Sequence, residues 1–262
     1  MPNLLSSVLS LCTESSAGMA RRLAETTRGS IIQACMMIVV GCLLYGFSIG
    51  LWRAPLMGAY VAIKLPLLIF LTVGANGLIN GMLAQILDSK LSFRQTLQAI
   101  LQSFALFAVI VGSLSPVAAW MTLNMTSAAT DGAEQSYAAL MVIHTGVIAF
   151  AGITANLRLF ATLVETTRSH AKASRVLFAW LAGNLFLGAQ FSYLLRPFFG
   201  KPNLDIQFLR PDAFVGNFYS TLWEYIKTLF GIHQSTYLGI GIFLMVTFIL
   251  CTKKLTSNHT SK

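Results

Sequence analysis

The chain has 262 residues, of which 55% are hydrophobic and only 10% charged, against roughly a quarter charged in an ordinary soluble domain. So few charged side chains cannot solvate the surface of a water-soluble fold of this length, which excludes a soluble globular protein. The net charge of +9 is spread in short tracts between apolar runs, a pattern that suits topology signals beside anionic lipid and not a nucleic-acid face.

Residues 1–30 open the chain with Leu4, Leu5, Val8, Leu11 and Cys12 at helical spacing and Ser6, Ser7 and Ser10 opposite. That pattern predicts a helix lying on the inner leaflet. The first cations, Arg21 and Arg22, follow the apolar stretch and do not precede it, so no cleaved leader is expected.

Crossing about 30 Å of hydrocarbon takes about 20 mostly apolar residues at 1.5 Å each. Residues 31–52, 65–87, 97–121, 137–164 and 176–195 meet that length, and 237–252 is a shorter sixth run stopped by Lys253 and Lys254. Polar groups within the runs are costly and therefore informative. In the second span Asn76 and Asn80 share one face beside Gly77 and Gly81, a small-residue step that lets a neighbouring backbone approach while the amides bond across the contact. In the third, Pro116 predicts a kink that frees a carbonyl near residue 112, within reach of Ser113. The fourth contains His144, and the fifth Asn184 and Gln190. Together Asn76, Asn80, His144, Asn184 and Gln190 are the candidates for helix packing or for a polar path. A Ser113 or Ser115 dyad with His144 would suggest an intramembrane hydrolase, but the serines lack the following glycine of a nucleophile turn. The cysteines, at 12, 35, 42 and 251, form no metal-ligand spacing, and HExxH is absent. No metal or cofactor is expected.

Cations test the span count independently. With six spans and the N-terminus inside, twelve of the 18 Lys and Arg fall in cytoplasmic segments; Arg53 and Lys64 occupy the first outer loop, and Arg196, Lys201, Arg210 and Lys227 the last. The 122–136 loop carries Asp131 and Glu134 and no cation. Both termini are therefore expected in the cytoplasm.

Residues 191–230 hold 11 of the 29 aromatic side chains, too many for a disordered loop. Two Arg-Pro steps, at Arg196 and Arg210, restrict the backbone, and Phe218, Leu222, Tyr225, Ile226 and Leu229 recur at helical spacing, predicting an amphipathic helix on the outer interface. An interfacial belt with an Arg210–Asp212 pair is one reading. The other is a contact or lid surface built from Arg196, Phe198, Phe208, Arg210, Asp212, Phe214, Asn217, Tyr219 and Trp223, since aromatics and Arg serve as contact anchors.

The stretches from Gly183 to Gln190, Arg196-Pro-Phe, and Phe208 to Tyr219 resemble a family of bacterial multi-pass inner-membrane proteins with no assigned activity. More loosely, the helical layout is similar to that of Yip1-type membrane proteins, which implies a non-catalytic membrane organiser. The expected fold is an all-α integral membrane bundle. It comprises a cytoplasmic segment at 1–30, five spans within 31–195, an ordered aromatic outer loop at 196–235, a sixth span at 236–252 and a tail at 253–262. The expected function is a non-enzymatic scaffold or subunit of an envelope complex, with the bilayer and a protein partner or second copy as its contacts and no nucleic acid. The alternative is a small-solute transporter or channel subunit with a polar path through spans two, four and five.

Overall fold

The computed structural model describes residues 4–25, 27–87, 91–130, 133–200 and 205–220, and the side chains of these from Ser6 onward. Among them every regular element is helical. The helices are α1 (Leu4–Thr13), α2 (Ser16–Ala24), α3 (Arg28–Gly50), α4 (Pro55–Ile86), α5 (Phe93–Ser113), α6 (Ser115–Asn124), α7 (Ala133–Thr167) and α8 (His170–Leu194). Their starts are written locally. Thr27 with Ser30 and Ser92 with Gln95 form reciprocal capping boxes, and Ser169 caps α8 through the Lys172 N–H. Pro55 opens α4 at a position where its missing N–H costs nothing.

Five of these helices, α3, α4, α5, α7 and α8, are long and apolar enough to cross a bilayer. Their outward faces carry large apolar side chains: Val142 is 73% exposed, Leu157 64%, Phe178 75% and Phe186 60%. Only hydrocarbon is a good solvent for such faces while every backbone group bonds within its helix. The protein is thus a helical membrane protein. The sixth expected span, the tail and most of the amphipathic helix, including Trp223, lie outside the described residues.

The cross-helix contacts give an up-and-down arrangement. Gly46 meets Val61 and Gly50 meets Gly58 between α3 and α4, and Thr72 meets Gly188 and Asn76 meets Asn184 between α4 and α8. In both pairs residue numbers rise on one helix as they fall on the other, so the helices are antiparallel. One end of the bundle, the loop end, therefore gathers the turn at 51–54, the end of α6 and the segment after α8. The opposite end receives α1 and α2.

Three expectations change. The second span begins at Pro55 and not at 65, so Lys64 belongs to the helix and not to an outer loop; it is fully buried. Its four-carbon stem fits an apolar helix, and nothing in the preceding run of Leu56 to Ile63 stops a helix that Pro55 has started. The third run is not one kinked helix: it breaks at Leu114, whose N–H bonds to Ile110 and Val111, and the Ser113 hydroxyl donates to the Ile110 carbonyl at 2.7 Å. The close helix approaches occur at Gly41, Gly46, Gly50 and Gly112, whereas Gly77 and Gly81 face the side chains of Leu97 and Phe93. Gly77 and Gly81 make room for large side chains; α3 uses glycines to bring backbones together.

The N-terminal segment forms two helices joined at Glu14 and Ser15. Leu11, Met19 and Leu23 enter the main core with Ile38, Leu101 and Trp180. Arg158 of α7 donates to the carbonyls of Leu11 and Glu14, at the C-terminal end of α1, where a cation offsets the helix dipole. The chain divides into two units, 1–213 and 214–262. In the second unit the Asn217 side chain accepts from the Ser220 N–H at 2.8 Å, the bond of a capped helix start.

Candidate functional site

Among the described residues two polar clusters that join helices lie inside the bundle, in different halves; Thr96 and Gln98 of α5 are buried too, with no hydrogen-bond partner for their side-chain polar atoms. The first joins α4 to α8. Asn76 Nδ2 donates to Asn184 Oδ1 at 3.0 Å and Asn80 Nδ2 approaches the same oxygen at 3.4 Å, while the Trp180 indole donates to the Asn80 backbone carbonyl at 3.1 Å. One turn separates Asn76 from Asn80, which is why one acceptor reaches both. Gly183 permits the approach, because a Cβ there would meet the Asn76 amide at 2.5 Å. Asn80 Oδ1 is buried without a partner. Gln190, six residues past Asn184 on α8, is not part of this triad. An Asn184→Leu variant should lose about 1 to 2 kcal/mol, since it strands two buried amides; the midpoint of unfolding in mixed SDS micelles reads this directly.

The second group lies near the loop end. The Tyr45 hydroxyl and His144 Nδ1 are joined at 2.9 Å, with the rings edge-on at 5.7 Å. His144 is 1% exposed, and in either tautomer its Nε2 is left without a partner. Because Nδ1 bonds to tyrosine and Nε2 has no partner, the structure brings neither Ser113 nor Ser115 into a hydrogen-bonded dyad with His144; Ser113 is exposed and bonded to its own helix. Lys64 sits roughly 14 Å along α4 from its start. Its Nζ donates to the Pro197 carbonyl at 2.7 Å and stands 5.1 Å from the Phe208 ring centre and 5.9 Å from that of Phe198. Lys64 was not among the candidates read from sequence. The signal was a lone cation nine residues after a helix-initiating proline, in a run otherwise apolar.

The segment after α8 folds onto this end. Phe198, Phe199 and Ile206 pack on the cluster of Tyr45, Ile49, Met57 and Val61. Phe199 lies 5.7 Å from the His144 ring, and Phe208 meets Tyr60 edge-on at 5.4 Å. Phe198 and Phe208 therefore face the bundle. Arg196 braces the segment from outside: it donates to the Tyr193 carbonyl at 2.8 Å, stacks 3.6 Å over the Tyr193 ring and pairs with Asp212 at 3.2 Å. Asp212 thus pairs with Arg196 and not with Arg210. The reason is geometric, since residues 210 and 212 share a tight turn closed by the Ala213 N–H on the Arg210 carbonyl. In the second unit Phe214, Asn217 and Tyr219 are exposed.

The candidates for a polar path thus split into Asn76, Asn80 and Asn184 on one side and His144 on the other. Along α4, Asn76 lies twelve residues beyond Lys64, about 18 Å. Among the described residues no group of three or more His, Cys, Asp or Glu is placed to hold a metal ion. Comparison with protein-family models, with curated proteins and with solved structures finds no match.

Proposed function

We propose that the protein is a non-enzymatic membrane component that works by binding, a scaffold or subunit of a membrane complex, with the segment after α8 as its contact surface. The observation that carries this reading is the Lys64 tie to Pro197. With the stacked aromatics it anchors a segment that would otherwise be a loose connection, and a preorganised surface loses less entropy when a partner docks. Phe198 and Phe208 supply rigidity from within; in the second unit the exposed Phe214 and Tyr219 supply the contacts. The cation distribution supports an orientation with the N-terminus and α1–α2 in the cytoplasm and the contact surface outside. The resemblance of the 183–219 stretch to bacterial inner-membrane proteins supports that membrane as its location, and the one-sided apolar pattern of α1, with Arg21 and Arg22 on α2, suits its inner surface.

Full-length protein purified in mild detergent should carry a stoichiometric companion, a second chain or a second copy. Phe214→Asp should release it while the bundle's melting temperature holds. The same companion retained by wild type and variant alike overturns the assignment of the surface. The transporter reading is favoured by one observation, the unpartnered buried His144 Nε2 and Asn80 Oδ1. Solute flux through reconstituted wild-type protein, abolished by Asn80→Leu, would put it first.

A further inference from the structure

Between the second Arg-Pro turn and the end of α8, the loop encloses an open cleft of about 210 Å³. Its walls include Pro197, Gly200, Asp205, Gln207, Arg210 and Asp212. Pro197 is fixed from beneath by Lys64, and Gly200 holds a positive φ of 68° against the Arg53 stem, so the cleft's floor is built into the fold. One carboxylate oxygen of Asp212 is held by Arg196. The charged groups that remain are of opposite sign. Among the described residues neither the Arg210 guanidinium nor the Asp205 carboxylate makes a hydrogen bond or ion pair, although both line one cleft, and the Gln207 amide is likewise unengaged. A guanidinium and a carboxylate that line one cavity without pairing with each other complement a ligand that carries an ammonium and an oxyanion a few bonds apart.

Position decides the source of such a ligand. α8 has 25 residues, about 37 Å of helix, enough to cross the hydrocarbon. A cleft that begins three residues past its last turn stands at the level of the lipid headgroups. We propose that this cleft binds the zwitterionic headgroup of an ethanolamine phospholipid, with Arg210 and Gln207 on the phosphate and Asp205 on the ammonium. The site needs no protein partner and stands whether or not the outer surface docks one.

Delipidated full-length protein, offered phosphatidylethanolamine and phosphatidylglycerol in equal amounts, is read by native mass spectrometry. Wild type should retain the ethanolamine lipid at least about fivefold over the glycerol lipid. Arg210→Gln and Asp205→Asn should each remove the preference, with melting temperatures unchanged, and soluble O-phosphoethanolamine should displace the lipid. Equal retention of the two lipids by wild type overturns the proposal. So does a preference that survives in both variants. Binding of O-phosphoethanolamine without retention of the lipid would assign the cleft to a free zwitterion and overturn the lipid source. Loss of a co-purifying protein on Phe214→Asp is a separate readout, so the two proposals fail independently.

Discussion

Gly41→Leu should prevent the bundle from forming: little folded protein is expected after extraction, and whatever folds should unfold at a much lower SDS fraction than wild type. A Cβ at this position would lie within the Ala108 backbone carbonyl, and a Cβ on Gly112 of the same α5 helix would meet the Gly41 Cα at 2.8 Å. Side chains can change rotamer, but a carbonyl in an intact helix cannot move without displacing α5 as a whole. Overpacking ordinarily costs about 1 to 3 kcal/mol, and here no flexible atom absorbs it, so even Gly41→Ala should cost at least about 2 kcal/mol on that scale. Gly146 is the control. It lies on α7 with nothing within 4 Å of its would-be Cβ. Gly146→Ala should leave stability unchanged or raise it by up to about 1 kcal/mol through helix propensity. Equal behaviour of the two alanine variants would show that the α3–α5 contact is not what holds the bundle together.

Lys64→Met should separate two quantities that usually move together. Hydrogen exchange in residues 205–213 should rise by about tenfold or more, the equivalent of about 1.4 kcal/mol of lost local protection. Global unfolding should change by less than about 1 kcal/mol, because the lost charge-assisted hydrogen bond and ring contacts are offset by no longer burying an ammonium among apolar side chains. Lys64→Arg should not restore protection, since a planar fork does not fit between the Phe198 and Phe208 faces and one carbonyl. Unchanged exchange in Lys64→Met would mean that Phe199 on His144 and Phe208 on Tyr60 hold the segment alone.

These variants fall where sequence reading had least to work with. Asn76 and Asn80 could be placed on one face because helical spacing is local, and the bond to Asn184 follows from the cost of an unpaired amide in hydrocarbon. That Asn184, and not His144, would be the partner required knowing which helices touch. The Arg196–Asp212 pair likewise spans sixteen residues of loop whose path no local rule predicts. Trp223 and the rest of the predicted amphipathic helix beyond Ser220 lie outside the described residues.

Composition and the spacing of apolar runs determined by themselves that this chain is a bundle of membrane-crossing helices, because hydrocarbon leaves the backbone no other partner than itself. The caps at Thr27, Ser92 and Ser169 and the opening proline at Pro55 likewise act within a few residues of chain. Only the tertiary structure decided that Lys64 is an interior anchor and that the phenylalanines at 198, 199 and 208 turn inward. The cation's partners lie more than 130 residues away, and a contact between distant segments is fixed by how whole helices pack, which no short stretch of sequence encodes.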